Sequence, residues 1–456
     1  MKKLYTLIAL ALFSLTAVAQ NNTSYFMEGS VARNQWNPAF APNRGYVNIP
    51  FIGGIQAGIS GNVALNDILY LNNGDLTTLL SPSVPASLAL SNLDDMNCLG
   101  TGVNLNLIGF GAYTKNQESF WSFGLNVVAN AEVRAPYELF DFAKNGTSGN
   151  FANLGLSADS YIEAAFSYSF PVIEKLYLGV RGKFLVGAAR ASLNFDEFSA
   201  NMGADRWYAH AVGTMEISGV TPDTRYTDNN NKMYDMESLG SQFKAPAGYG
   251  FGVDIGATYD LLPELQLSLS VNDLGLMSWS KKSTAIGRLD KDIEFTGIEV
   301  DANGNASQPS SFDLDDLGFE VADSKSINKS LRTSINAGAE YNLLDRRIGF
   351  GLFYSARFQP FKTRHNVTGS VNFRPLKWLH ASGSYSVLGK DGGALGLALN
   401  ICPGFINFFV ATDMLLSKKT PQWVPINQSN VNVTFGLGVP IGPKGARHGL
   451  QADSKR

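Results

Sequence analysis

The residues of this chain that could do chemistry are a few histidines, a crowd of carboxylates and some isolated charges on alternating segments. His380 is followed at steps of two by Ser382, Ser384 and Ser386. A Ser–His pair is the beginning of a nucleophile and its base. On a strand, residues two apart point the same way but diverge, so this spacing presents a polar row. His365 falls in a loop, His448 in the C-terminal tail, and His210 stands alone. The histidine pattern argues against an enzyme.

Carboxylates crowd the segment from Asp290 to Asp323, among them Asp313, Asp315 and Asp316. Clustered oxygens bind calcium, and Asp301-Ala302-Asn303-Gly304-Asn305 offers some. It lacks the ligand spacing and the closing Glu of a calcium loop, so a solvated loop is the better reading. Asp228-Asn229-Asn230-Asn231 reads as a turn. Two cysteines, Cys98 and Cys402, define no metal site; whether they pair stays open. Neither metal nor cofactor is expected.

The remaining charges gain meaning from the elements that carry them. From Gly248 to Tyr259 one parity holds Tyr249, Phe251, Val253, Ile255, Ala257 and Tyr259. The other holds Gly248, Gly250, Gly252, Asp254, Gly256 and Thr258. A period of two separates these sets onto the two faces of a strand. After Asp260-Leu261-Leu262-Pro263 the pattern resumes with Leu265, Leu267, Leu269 and Val271. The same unit flanks Asn342-Leu343-Leu344-Asp345, Arg374-Pro375-Leu376-Lys377 and Cys402-Pro403-Gly404. Ala394 to Leu416 is long and apolar enough for a spanning helix, but the central Pro and Gly make it a hairpin.

Repeated strands of about ten residues, joined by alternately short and long connections, mark a transmembrane β-barrel. The chain reads as all-β: an antiparallel barrel of about 14 strands, an N-terminal plug segment and long outer loops. Weaker strands lie near 45–62, 102–114, 119–134 and 205–216. Tyr259, Tyr341, Phe373, Trp378 and Phe405 sit at short turns and fit an interfacial girdle. Outer loops are expected at 194–247 and 281–329, with shorter ones at 359–365 and 417–428. Residues 66–100 could fold as a second plug or as an ordinary outer loop. Asp254, Arg332, Glu340, Arg357 and Arg374 take the lumen parity, because each would cost a few kcal/mol against lipid.

Composition agrees. Charged residues are only 16% of the chain and 46 residues are Gly. Mean hydropathy near zero excludes a polytopic helical protein. A net charge of −3 gives no footprint for nucleic acid. Met1-Lys2-Lys3, an apolar run to Val18 and Ala17-Val18-Ala19 read as a signal peptide over 1–19, cleaved before Gln20. That leaves the segment 20–44, a barrel over 45–440 and a polar tail over 441–456. The expected place is the outer membrane of a Gram-negative cell, with its lipid as a partner.

Several stretches resemble the long-chain fatty-acid transporter class of outer-membrane barrels and its secretion-associated or uncharacterised relatives. They are Asn37-Pro38-Ala39, the strand Gly250 to Tyr259 with Leu269 to Gly275, and Trp279. Phe120 to Gly124 and Gly179 to Phe184 match as well. The resemblance implies 14 strands, a lumenal plug, and hydrophobic molecules passing sideways into the membrane. The chain departs from a common barrel ending, since Pro440 is followed by a polar tail.

Two functions follow. One is a passage or binding route for hydrophobic small molecules, with Asn37, Pro38, Ala39 and the five charges at plug or lumen. Phe353 and Phe409, on lumen parity, suit a greasy interior. The alternative is docking or assembly of exported proteins on the long outer loops, without transport.

Overall fold

The computed structural model describes residues 21–63, 65–72, 75–79, 81, 83–146, 148–202, 206–227, 230–296, 318–387, 393–413 and 430–445. The signal peptide and its cleavage point, the 417–428 loop, most of the acidic run and the end of the tail lie outside the described residues.

Fourteen antiparallel strands close into a barrel. The first, β1, is interrupted, with halves Arg44–Asn48 and Ile55–Gly61. Then come β2 (Met96–Tyr113), β3 (Phe120–Pro136), β4 (Gly155–Ile173) and β5 (Leu176–Met202). Next are β6 (Gly248–Leu262), β7 (Leu265–Trp279) and β8 (Ser334–Leu343, preceded by Ile327–Ser330 on the same neighbour). The ring finishes with β9 (Ile348–Phe358), β10 (Thr363–Leu376), β11 (Leu379–Val387), β12 (Gly393–Ile401), β13 (Asn407–Thr412) and β14 (Asn430–Lys444). Closure is a ladder between β1 and β14, with Val47 opposite Val439 and Ile55 opposite Phe435. It leaves the ring without an edge.

Alternation assigns the faces. Tyr249, Phe251 and Ile255 are exposed on the outer wall, while Asp254 and Thr258 are buried inside. The apolar 394–416 stretch is the β12–β13 hairpin, and among the described residues no helix is long and apolar enough to cross a membrane.

The long connections differ from the loops expected. β5 runs for 27 residues, far past the 9–11 that cross a bilayer. Its far half pairs with Arg206–Ser218, which pairs in turn with Thr284–Thr296. These strands, with Asp223–Tyr226, Lys232–Asp235 and Glu320–Ala322, form a sheet continuing beyond the ring. Phe195, Ala211, Met215, Leu289 and Phe319 give it a core of its own. The strand near 205–216 therefore exists but belongs to this lobe. Among the described residues of 66–100, the short helices and the Leu69–Asn72/Asp75–Thr78 hairpin pack on one another and on Phe140, outside the lumen. Cys98 and Cys402 are both free thiols, at opposite ends of the barrel wall.

Candidate functional site: the plugged lumen

Residues 21–43 occupy the lumen. Their polarity is local, without a period, and each turn finds partners on the wall. Asn21 Nδ2 donates to Asn432 Oδ1 at 2.7 Å, and the Asn22 amide donates to Asp413 at 2.9 Å. Thr23 lies against Ser384 and Asp413. Ser270 Oγ and Asn272 Nδ2 donate to Trp36 O at 2.7 and 2.8 Å, and Ser169 Oγ to Ala39 O at 3.1 Å. Tyr25, Phe26, Trp36 and Phe40 pack as one aromatic knot against Phe353, whose ring stacks on Tyr25 at 4.0 Å. Phe409 packs on Met27. Both lumenal phenylalanines thus hold the plug rather than grease a path.

The residues singled out from the sequence separate into three places. Asn37 is fully buried and its Nδ2 donates to the carbonyls of Ala257 and Leu269, at 3.1 and 3.2 Å. Pro38 and Ala39 lie beside it against the wall at Gly179. Glu340 and Arg374 pair with each other and, through Arg374, with Glu28 of the plug at 3.3 Å. Arg346 reaches the same Glu28 carboxylate, and His380 Nδ1 lies against the Glu28 carbonyl. His380 therefore meets the plug rather than a serine: Ser382, Ser384 and Ser386 bond to Asn372, Thr23 and Thr368.

The third place is a belt of charge across mid-lumen. Asp254, fully buried, pairs with Arg181 at 3.1 Å and Lys183 at 3.0 Å. Lys183 also reaches Asp273 at 2.5 Å and Glu163 at 3.6 Å. Arg181 turns its other nitrogen to Asn34 of the plug. From the break before β8, Arg332 reaches Asp159 on β4 at 2.7 Å. From β10, Arg364 approaches Glu132 on β3 at 3.7 Å, and Arg357 lines the same space. Arg181 and Lys183 were open to the parity argument, since both alternate with Leu178, Val180 and Phe184. Glu28 and Arg346 were not, because a plug and a turn have no period.

The belt faces a cavity of about 140 Å³ lined by Gln35, Asn48, Gln56, Asn106, Asn126 and Glu163 among others. Amides run along the wall in a relay. Asn48 Nδ2 donates to Asn106 at 2.9 Å, Asn106 Nδ2 to Asn126 at 2.8 Å, and Asn126 Nδ2 to Glu163 at 3.1 Å. The relay ends where β1 breaks. There Ile49 to Gly54 leave the ladder, Phe51 takes a left-handed φ of 65°, and the residue is 61% exposed. A second cavity of about 30 Å³ lies directly behind Gly53 and Gly54. It shares Gln35, Asn48, Gln56 and Asn106 with the first. The break is stitched by Ile49 N to Leu437 O at 3.1 Å and Leu437 N to Ile52 O at 3.0 Å. A third cavity, about 560 Å³, opens at the short-turn end beneath Glu28, Arg374 and His380.

Residues 38–413 match a family model described as a family of unknown function, DUF5723. The chain belongs to that family. No curated protein matches the sequence. Among solved structures it is similar to the toluene transporter TbuX of Ralstonia pickettii, at 8% identity and TM-score 0.41, over 94% of this chain and 97% of that one. It is similar to the Pseudomonas putida toluene transporter TodX, at 8% and 0.39 over the same shares. A Pseudomonas aeruginosa FadL homologue matches at 11% and 0.32, over 93% and 98%. Likeness this loose carries no argument about cargo; the barrel stands on its own strand ladders.

Proposed function

We propose that this family member is an outer-membrane passage for small amphipathic molecules, which move from the lumen to the membrane through the break in β1. The observation carrying the proposal is the pair of neighbouring cavities that share Gln35, Asn48, Gln56 and Asn106, the second of them behind Gly53 and Gly54. An interrupted strand is costly in a barrel, because each unpaired backbone group in lipid loses several kcal/mol. The chain carries the interruption nonetheless, and the polar relay ends beside it. A cargo suited to this route has a polar head for the amide wall and an apolar body for Phe51, Ile52 and the lipid beyond. This narrows the hydrophobic ligand expected from sequence, because the lumen walls are rich in Asn, Gln and Ser. Asn37 and the Glu28 cluster serve to hold the plug, Arg332 and Arg357 face the cargo, and Asp254 holds Arg181 and Lys183 in place from behind.

A photoreactive alkyl amphiphile offered to the reconstituted barrel tests the route. Cross-links at both Gln35 or Gln56 inside and Phe51 or Ile52 outside are expected. Cross-links confined to the lumen would refute a lateral exit. The folded outer lobe favours a second reading, docking of exported proteins, through exposed Tyr208, Tyr226 and Phe243. Stoichiometric protein partners on a gently extracted barrel would support it.

A further inference from the structure

We infer that the cavity at the short-turn end is a binding site for the phosphate of a small alkyl phosphate ester. The short turns of such barrels face the periplasm, so the ligand comes from that side, and the inference stands apart from the passage through β1. The cavity, about 560 Å³, is lined by six cations: Arg44, Arg346, Arg347, Arg374, Lys377 and Lys444. Two carboxylates join them, Glu28 and Asp345, which leaves an excess of four positive charges with His380 set aside. The charges just behind do not alter it, because Glu340 on Arg374 is matched by Arg33 beside Glu28.

Local structure arranges this excess. Between β8 and β9, Leu344, Asp345 and Arg346 take φ values of 53°, 53° and 67°, which residues with a side chain seldom adopt. The turn carries Arg346 inward onto Glu28 and leaves Arg347 exposed at the mouth. Glu28 does not exhaust the group it holds, since Arg346 Nη1 is buried and makes no hydrogen bond. A donor buried in this way leaves part of its desolvation uncompensated. Among the described residues, Arg44, Arg347, Lys377 and Lys444 enter no ion pair.

Charge, size and lining together name the ligand. A phosphate monoester carries about 1.5 to 2 negative charges at neutral pH. Its oxygens accept from guanidinium forks and ammonium groups together. A carboxylate brings one charge and two oxygens to the same cations. The free phosphate ion would fill little of a space that falls within the range of small-molecule sites. The rest of the lining is apolar in part, with Val31, Leu376, Pro403 and Trp378 available to a short alkyl body.

Calorimetry on the mature barrel in nonionic micelles near neutral pH tests this with hexyl phosphate, hexanoate and inorganic phosphate, protein-free micelles serving as the blank. Hexyl phosphate is expected to bind about tenfold tighter than either of the others, as one more charge-assisted contact or a buried alkyl chain allows. Arg347→Glu with Lys377→Glu cancels the excess and should weaken hexyl phosphate at least about tenfold. Lys115→Glu with Lys175→Glu makes the same change in net charge on turns outside the cavity lining, and should leave binding within about twofold. All four positions are exposed turn residues, and faster migration of unheated than boiled protein establishes that each variant folds. Equal weakening by both pairs would reduce the effect to net charge and overturn the site. Hexyl phosphate failing to bind, or hexanoate matching it, would overturn the phosphate assignment. Inorganic phosphate binding as tightly as hexyl phosphate would overturn the ester and leave a free-ion site in its place.

Discussion

Glu28 is the residue on which the plug's charge balance turns. Burial alone would raise its carboxyl, but Arg346, Arg374, Arg33 and His380 face it and hold it down at about 2, against an ordinary 4.5. A depressed value stabilises the ionised state, fully above pH 4.5 and progressively less as pH falls toward 2. The amount lost is up to about 3 kcal/mol. The thermal midpoint should therefore fall more steeply below pH 4.5 in the native protein than in a Glu28→Gln variant. Parallel profiles would remove Glu28 from the account. Sequence could place Arg374 and Glu340 on the lumen wall, because they keep strand parity. It could not supply their partner, since Glu28 lies on a segment whose side-chain directions follow no repeat.

At the scale of elements, the small residues on lumen parity have a use that alternation alone leaves blank. A Cβ on Gly256 would overlap Asn37 Oδ1, one on Gly179 the Pro38–Ala39 backbone, and one on Gly396 Thr23 Oγ1. The wall is thin where the plug backbone lies on it. Gly256→Ala should displace Asn37 at a cost of about 1–3 kcal/mol. Hydrogen exchange would then show lost protection at the amides of Ala39 and Phe40, which bond to Asn37 at 2.8 and 3.0 Å. Gly182→Ala, on the open outer face with nothing within 4 Å, should leave both amides unchanged. Equal loss in both variants would contradict a contact at Gly256. The same alternation misled at 205–216, because a sheet in the outer lobe also has two faces. A period of two reports faces but not whether lipid or another layer covers one of them.

For the whole molecule, ring closure, strand direction and the polarity of the two faces were legible from the repeat itself. The break in β1 was not, since residues 45–62 read as one weak strand and the interruption depends on Leu437 and Asn106 far along the chain. The cavities were likewise invisible, as they arise where plug, β1 and β2 meet. Their joint course from the charged belt to the lipid face is the central claim, and blocking it is the direct test. A side chain at Gly54 would point at Asn106, which lines both cavities. The measurement is flux of the small amphiphile N-hexyl-N,N-dimethylglycine into proteoliposomes holding the native barrel or Gly54→Leu, each normalised to heat-modifiable protein. The account predicts that the native barrel conducts and that Gly54→Leu loses at least about nine-tenths of the flux, as filling the narrow neck with close-packed atoms requires. Equal flux through both barrels would contradict a passage behind β1.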